Sequence, residues 1–429
     1  MNSLLISTIG CDDFAHLSMA RTFHFNFFII FILFVIVSAS HHDFSIIDFD
    51  SNLFHQDYSP PSPPPPPHPP SVSCEDDLGG VGSVDTTCQI VANLNLTEDV
   101  YVEGKGNFYI LPNVSVTCLV SGCEITINVT GNFSLGDNAS ILAGTFELAA
   151  DSATFLNGSL VNTTGLAGSP PPQTSGTPLG VDGAGGGHGG RGACCLADKD
   201  KLQEDVWGGD AYSWSSLQKP WSYGSKGGTT SREVDYGGGG GGRIKLEIVR
   251  FLEVKGSLLA DGGDGGAKGG GGSGGSIFVK ACKMTGSVRI SACGGNGFSG
   301  GGGGRVSVDV FSRHDDPKIF VHGGRSAGCP ENSGAAGTFY DAVSRSLTVS
   351  NHNMSTYTDT LLMEFPHQPL MTNVYVQNHA KAAVPLLWSS VQGLFSVRGN
   401  SELGRTVAGE NKDKAVETHA PKVREGRRG

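Results

Sequence analysis

The chain has 429 residues, including 64 glycines and 21 prolines, and its 41 acidic residues outnumber the 30 basic ones. The formal net charge of -11 argues against a protein that binds nucleic acid or an anionic membrane surface. The sequence has no zinc-like Cys-x-x-Cys pair, so we predict no metal site. We also predict no cofactor.

Residues 1–40 are predicted to be a signal peptide. The uninterrupted apolar core, Phe27 to Val37, is too short for a comfortable membrane span, and Ser38, Ala39 and Ser40 follow it as at a cleavage site. Residues 1–18 contain no Lys or Arg, whereas Met19 and Arg21 begin a conventional amino-terminal region, so we expect translation to start at Met19. An uncleaved signal anchor is the alternative.

A proline-rich segment, residues 41–73, follows the predicted signal. Its run of prolines predicts an extended polyproline II linker without a core of its own. A serine followed by prolines is also similar to the glycosylated motif of plant extensins, which would place the protein at a plant cell wall. An unmodified stiff linker is the alternative.

The cysteines and the Asn-x-Ser/Thr sequons indicate a secreted glycoprotein. Downstream of a signal peptide, cysteines are expected to form disulfides, and exposed sequons are expected to carry N-glycans. Asn128 lies between Ile127 and Val129, so alternation along a strand predicts that it faces solvent. The disulfide candidates are Cys74, Cys88, Cys118, Cys123, Cys194, Cys195, Cys282, Cys293 and Cys329, and the sequon asparagines are Asn95, Asn113, Asn128, Asn132, Asn138, Asn157, Asn162 and Asn353.

The fold is predicted to be all-β, a right-handed parallel β-helix of the pectin-lyase-like solenoid type over residues 74–398. Short strands with alternating apolar residues fill 74–166, and a motif of glycine, one polar residue and an apolar strand start then recurs. The apolar residues of that motif are Ile244, Ile277, Val306 and Phe339. Residues 168–236 are predicted to be a long insertion in the solenoid.

The glycine runs 237–242, 269–275 and 300–304 allow two interpretations. They are either flexible spacers or ordered turns that require positive φ and close approach between backbones. Each run leads into an alternating strand, which favours ordered turns.

The predicted insertion contains two motifs that suggest binding. The loop 183–192 resembles a phosphate-binding loop, but it lacks the Lys-Ser/Thr pair and a following helix, so His188 and Arg191 are predicted to be surface turn residues. An aromatic cluster flanked by Asp210 and Lys219 predicts a platform that stacks on sugar rings. The alternative is that these rings form the private core of a long loop. The candidate rings are Trp207, Tyr212, Trp214, Trp221 and Tyr223.

The tail, residues 399–429, has dense mixed charge and almost no apolar periodicity, which predicts disorder. Disorder is also predicted for the N-terminal segment ahead of the solenoid.

Five motifs resemble a family of plant glycine-rich secreted or transmembrane proteins, some of whose members are described as ephrin type-B receptor-like. The resemblance covers about Cys74 to Arg398 and implies a secreted β-rich ectodomain. In longer members of the family, this ectodomain is followed by a membrane segment. It implies no catalytic residues. The motifs are LGGVGSVDTTC (78–88), GGHGGRGACC (186–195), WGGDAYSWSSLQKPWSYGSKGG (207–228), GGGGGGRI (237–244) and TNVYVQNHAKAAVPLLWS (372–389).

Three functions follow as hypotheses. The first is a non-enzymatic, glycosylated structural or interaction protein of the plant secretory pathway, cell surface or wall, with cell-wall polysaccharide or surface proteins as partners. The second is a carbohydrate-binding or pectin-active β-helix protein, and the third is a truncated fragment of a larger membrane protein.

Asp261 and Asp264 could supply calcium ligands, although they lack the register of calcium-binding β-rolls. The acids available for catalysis form no paired motif; they are Asp182, Asp205, Asp210, Asp235, Asp261, Asp264 and Asp309.

Overall fold

The computed structural model describes residues 69–171, 174–176, 183–195, 207–231, 233–364, 369–385, 391 and 393–406. The predicted signal peptide, most of the proline-rich linker and most of the tail lie outside these residues. Within the described part no α-helix occurs, and no helix there is long and apolar enough to cross a membrane.

The regular secondary structure consists of short strands separated by turns. In chain order the strands are β1 (Val81–Gly82), β2 (Thr87–Ile90), β3 (Leu94–Asn95), β4 (Val100–Gly104), β5 (Asn107–Ile110), β6 (Ser115–Thr117), β7 (Glu124–Val129), β8 (Asn132–Leu135), β9 (Ser140–Leu142), β10 (Thr145–Phe155), β11 (Leu160–Asn162), β12 (Arg243–Val254), β13 (Ser257–Leu259), β14 (Ser276–Thr285), β15 (Arg289–Ser291), β16 (Arg305–Arg313), β17 (Lys318–Phe320), β18 (Thr338–Asp341), β19 (Ser346–Ser350), β20 (Thr360–Leu361), β21 (Asn373–Gln377), β22 (Lys381–Pro385), β23 (Phe395–Val397) and β24 (Glu402–Thr406).

These strands form three sheets, which confirms the prediction of an all-β protein. The large sheet has fourteen strands, with β10, β12, β14 and β16 as consecutive neighbours, and the other two sheets have seven and three strands. Neighbouring strands pair in parallel, except β1 with β2 and β18 with β19. The chain alternates between sheets, because β12, β14 and β16 of the large sheet are followed by β13, β15 and β17 of the seven-stranded one.

The recurring sequence motif sets the register of the large sheet. Ile244 pairs with Ile277, Ile277 with Val306, and Val306 with Phe339. The intervals of 33, 29 and 33 residues between successive copies of the motif are therefore the distances along the chain between paired residues. Two residues further along each strand, apolar side chains again point into the core, and each fully buried one contributes about 2 kcal/mol. Those of β12, β14 and β16 are Leu246, Val279 and Val308.

The glycine runs form extended segments that hydrogen-bond side by side. In segment 269–275, three successive N–H groups donate to three different neighbouring segments, and the next three donate to the same segments in the same order. A period of three residues, with partners only in other segments, is the geometry of polyproline II. Gly270 and Ser273 donate to Gly228 and Ser225, Gly271 and Gly274 to Ser299 and Gly302, and Gly272 and Gly275 to Gly263 and Ala260, with N···O distances of 2.7–3.0 Å. We call this arrangement the glycine lattice.

The predicted insertion 168–236 is part of the glycine lattice. Ser225 and Gly228 accept bonds from segment 269–275, as described above. Gly186 donates to the carbonyl of Gly271 (3.0 Å) and accepts from the N–H of Gly302 (2.8 Å). Segments from the insertion and from the repeats therefore hold one another by backbone bonds.

The glycines of the three runs are required because neighbouring backbone segments approach closely, and not because the chain turns there. None of those in runs 237–242, 269–275 and 300–304 has positive φ, so the prediction of left-handed turns is wrong for these runs. A Cβ atom added at Gly272 or Gly301 would lie 2.0 Å from a carbonyl oxygen of the adjacent segment. Close approach of backbones is therefore confirmed, and the flexible-spacer interpretation is wrong.

Strand structure continues beyond Gly399, where disorder was predicted to begin. β24 (Glu402–Thr406) pairs in parallel with β22 in the three-stranded sheet. The physical reason is that ladder hydrogen bonds come from the backbone and do not need an apolar pattern. The remainder of the predicted tail lies outside the described residues.

Candidate functional site

A polar residue opens each of five neighbouring strands in the large sheet. Thr145, Arg243, Ser276, Arg305 and Thr338 pair in register across β10, β12, β14, β16 and β18. We call this row the polar ladder. Because adjacent strands are about 4.8 Å apart, the ladder offers a regular series of polar groups to a segment that crosses it.

Segment 212–223, from the predicted insertion, crosses the polar ladder and hydrogen-bonds to four of its members. The segment therefore packs on the sheet along its length instead of projecting from it as a loop. The contacts are Tyr223 Oη with Thr145 Oγ1 (2.7 Å), Arg243 Nη2 to Tyr223 Oη (2.9 Å), the Ser222 N–H to Ser276 Oγ (3.1 Å), Ser276 Oγ to the Ser222 carbonyl (2.7 Å) and Arg305 Nη2 to the Tyr212 carbonyl (2.8 Å).

Arg243 lies against two aromatic rings of this segment. Its guanidinium carbon is 4.5 Å from the ring centre of Trp221 and 4.0 Å from that of Tyr223. Its Nη2 also donates to Thr145 Oγ1 (3.2 Å). Cation–π contacts of this kind contribute about 0.5–1 kcal/mol when exposed and more when desolvated.

The substitution Tyr223→Phe is expected to lower the free energy of unfolding by about 1 kcal/mol. The change keeps the ring beside Arg243 and removes only the hydroxyl that joins Arg243 to Thr145. Urea denaturation of the two purified proteins measures the difference. Equal stability would show that the hydroxyl is dispensable and that the ring contacts and the direct bond to Thr145 suffice to hold Arg243.

The five aromatic residues predicted to contact carbohydrate have different environments. Tyr212 has no exposed surface, and its hydroxyl bonds to Ser225 Oγ (2.6 Å) and to the carbonyl of Tyr223 (3.0 Å). The prediction that Tyr212 stacks on a sugar is therefore wrong. Trp207, Trp221 and Tyr223 are half-buried, and each has an arginine over its ring.

Trp214 is the exposed ring of the group, with 45% of its surface accessible. It stacks on Tyr212 with ring centres 5.1 Å apart and an interplanar angle of 15°. Since Tyr212 covers one face, the exposed fraction corresponds largely to the opposite face and the ring edge. The buried tyrosine thus holds a tryptophan whose free face points to solvent.

Trp207 is part of a charged cluster instead. Its Nε1 donates to Asp210 (2.6 Å), and the guanidinium carbon of Arg191 lies 4.1 Å from its ring centre. Arg191 also approaches Asp210 and Asp359, at 3.8 and 3.6 Å. Burial raises the pKa of Asp359, although Arg191 opposes this shift. Asp210 therefore interacts within the fold and is not a free acid beside the predicted platform.

His188 is not a surface turn residue as predicted, because it is completely buried. Its Nδ1 is 2.8 Å from the carbonyl of Gly274, and its ring centre is 4.6 Å from that of Tyr212. Burial, with a smaller contribution from nearby Arg305, lowers the pKa of His188 to about 3. The flanking glycines have no side chains, so no apolar pattern in the sequence marks this position as buried.

The depressed pKa of His188 predicts a loss of stability in acid. In the unfolded chain this histidine binds a proton near its ordinary pKa of 6.5, whereas in the folded protein it stays neutral down to about pH 3. Between these two pH values protons bind only to the unfolded state, so the free energy of unfolding falls as the pH drops. In His188→Gln this part of the pH dependence should disappear. Denaturant titrations of both proteins between about pH 7 and pH 4 measure it, and identical slopes would contradict the prediction.

The sequon asparagines lie at the surface of the part of the chain that the structure describes. Seven are exposed and Asn162 is half-buried. Asn128 is exposed between buried Ile127 and Val129, which confirms the orientation predicted from strand alternation. Asn113 and Asn138 have φ values of 63° and 56°, so they occupy left-handed turns at the ends of strands.

Three disulfides join predicted cysteines: Cys74–Cys88, Cys118–Cys123 and Cys195–Cys329. Cys282 is also disulfide-bonded. The disulfide prediction is wrong for Cys194 and Cys293, which are buried thiols. Burial raises the pKa of Cys293 to about 12. Disulfides indicate an oxidising, extracellular or secretory environment.

Two acidic residues of the glycine-rich region bond to the backbone about 32 residues further along the chain. Asp261 Oδ1 accepts from the N–H of Cys293 (2.6 Å), and Asp264 Oδ1 accepts from the N–H of Asn296 (2.7 Å). These bonds use one oxygen, Oδ1, of each carboxylate that was considered as a calcium ligand. Asp235 pairs with Lys226, and the described residues contain no group of three His, Cys, Asp or Glu that could hold a metal ion. Asp182 and Asp205 lie outside the described part.

Together these features define an all-strand, disulfide-bonded protein of parallel sheets with a glycine lattice. Comparison with protein-family models, curated proteins and solved structures finds no match to this chain. The resemblance to plant glycine-rich proteins therefore rests on the sequence motifs alone.

Proposed function

We propose that this chain is a non-enzymatic, glycosylated structural or interaction protein of the plant secretory pathway, cell surface or wall. The observation that carries the proposal is the exposure of seven sequon asparagines in a disulfide-bonded chain. N-glycans and disulfides are acquired together in the secretory pathway. The plant setting and the wall come from the resemblance and from the extensin-like proline motif.

The proposal includes a right-handed parallel β-helix as the scaffold. Support comes from strands that alternate between two parallel sheets and from the constant register between β12, β14 and β16. Such a scaffold, braced by the glycine lattice, presents a long surface with little backbone freedom. That property suits a structural or binding role.

Secretion from plant cells tests the proposal. We expect the chain that starts at Met19 to appear in the medium with an apparent mass that falls after enzymatic removal of N-glycans. Asn128→Gln should reduce the mass by one glycan, whereas Asn107→Gln, which changes an asparagine outside any sequon, should not. Unglycosylated protein retained in the cytosol would contradict the proposal.

Binding of carbohydrate through Trp214 is a second candidate function. The observation in its favour is the solvent-facing ring face, held in place by stacking on the buried Tyr212. A pyranose ring stacks on such a face, and the cost of ordering the tryptophan is reduced because it is already packed. The neighbouring Ser213, Ser216 and Lys219 are at least partly exposed and can bond to sugar hydroxyls.

Retention of the secreted protein on immobilised plant polysaccharides tests this candidate. Trp214→Ala should abolish retention by any polysaccharide that binds the native protein. Trp221→Ala is the matched control, because that ring packs against Arg243 and its loss should leave retention unchanged. Failure of the native protein to bind any polysaccharide, or equal loss in both variants, would reject Trp214 as the contact.

A further inference from the structure

Arg305 is a completely buried arginine whose hydrogen bonds are incomplete. Its Nη2 donates to the carbonyl of Tyr212 (2.8 Å). Its Nε and Nη1 have no hydrogen-bond partner. A buried cationic group with unmet donors is strongly unfavourable, so it normally contacts a further acceptor, an ion or water.

Three other buried polar atoms, on segments that contact Arg305 or pack against its partner Tyr212, also lack partners. They belong to Thr338, His188 and Ser215. Thr338 pairs with Arg305 across β16 and β18. The His188 ring packs on Tyr212, whose carbonyl Arg305 contacts, and Ser215 follows three residues later. The unmet atoms are Thr338 Oγ1, His188 Nε2 and Ser215 Oγ.

The hydrogen bond of His188 shows which role its free nitrogen has. Nδ1 faces the Gly274 carbonyl, which can only accept. Because the buried ring is neutral, the proton is on Nδ1 and Nε2 is an acceptor that lacks a donor. The site therefore needs a species that accepts from Arg305 and donates to His188.

The charges around Arg305 distinguish between the small species that could fit. A halide accepts from Arg305 but cannot donate to Nε2, and a metal cation would be repelled by the guanidinium. Burial lowers the pKa of Arg305 to about 10 while the carboxylate of Glu364 opposes the shift, so a negative charge is already near. Water accepts and donates, and buried waters typically make about three hydrogen bonds to groups of this kind.

We propose that Arg305 and His188 form an internal water site, in which at least one ordered water accepts from the guanidinium and donates to His188 Nε2. The hydroxyls of Thr338 and Ser215 complete the hydrogen bonds of this water or of a second one. The site joins the polar ladder to the glycine lattice, since Arg305 opens β16 and His188 contacts Gly274.

A high-resolution crystal structure of the full glycoprotein, grown with sodium bromide, tests the site. We expect density for water within hydrogen-bond distance of both Arg305 and His188 Nε2, without anomalous signal from bromide. An anomalous peak at the guanidinium would show that the site holds an anion and would overturn the proposal. A direct ion pair between Arg305 and Glu364, with no density between Arg305 and His188, would overturn the proposal.

Water relaxation dispersion gives an independent test in solution. The native protein should contain long-lived internal water that is reduced by at least one molecule in His188→Phe, whose ring fills the site without an acceptor. Tyr109→Phe, far along the sheet in β5, serves as the matched control and should leave the signal unchanged. An unchanged signal in a folded His188→Phe protein would contradict the assignment, and if this variant does not fold, the crystal structure decides.

Discussion

Gly272→Ala is expected to lower the free energy of unfolding by more than about 4 kcal/mol, or to prevent secretion of folded protein. The added Cβ would lie 2.0 Å from the carbonyl oxygen of Gly239, a distance that no rotation of the methyl group relieves. The neighbouring segment would have to move away as a whole. That movement would strain the bonds that segment 237–242 donates to segment 269–275, from Gly238 to Gly270 (2.9 Å) and from Gly241 to Ser273 (2.8 Å), so the cost is shared by neighbouring segments of the lattice.

Gly263→Ala is the matched control. Gly263 accepts the hydrogen bond of Gly272 (2.9 Å) and belongs to the same lattice, but a Cβ there would meet its nearest atom at 3.1 Å. A shift of a few tenths of an ångström accommodates this contact, and alanine also restricts the unfolded chain. We therefore expect a stability within about 1 kcal/mol of the native protein.

Secretion yield and denaturant unfolding compare the two variants directly. If Gly272→Ala were as stable as Gly263→Ala, the backbones would not approach as closely as the glycine lattice requires, and the glycine runs would again be open to interpretation as spacers. Equal and severe loss in both variants would show that any side chain in the lattice is excluded, whatever its contacts.

The sequence predicted the sheets better than the glycine lattice, and the reason is physical. Residues such as Ile244, Ile277 and Val306 reveal a strand because their side chains alternate between core and surface. Glycine has no side chain, so a run such as 269–275 contains no periodic signal for the direction of its hydrogen bonds. The sequence therefore revealed the register of β12, β14 and β16 but not the way in which segment 183–192 fits between the repeats.

The same limit applies to the candidate site. Tyr212 and Trp214 are two residues apart in one aromatic motif, yet one is buried and the other exposes a face. Their environments depend on the polar ladder, which comes from strands far along the chain. The motif itself contained a clue. A polar residue, such as Arg243 or Arg305, precedes the apolar residue that starts each strand. Because those apolar residues pair with one another, the polar residues before them are predicted to form a row across the sheet.

Removal of the Cys195–Cys329 disulfide is expected to cost about 5 kcal/mol, because the bridge closes a loop of 134 residues and such a constraint greatly reduces the entropy of the unfolded chain. The bridge also fastens a lattice segment, 183–195, to the connection between β17 and β18. Cys195→Ser together with Cys329→Ser should therefore strongly reduce secretion and the midpoint of thermal unfolding.

The Cys118–Cys123 disulfide provides the control, because its sequence separation is only 5 residues. Loss of so short a loop is expected to cost about 2 kcal/mol in the same entropic model. Denaturant unfolding of the two double-serine variants should thus rank the long bridge well above the short one. The opposite ranking would mean that the segment 183–195 does not need the covalent link. Backbone hydrogen bonds of its glycines, such as that from Gly186 to Gly271, would then be enough to keep it in place.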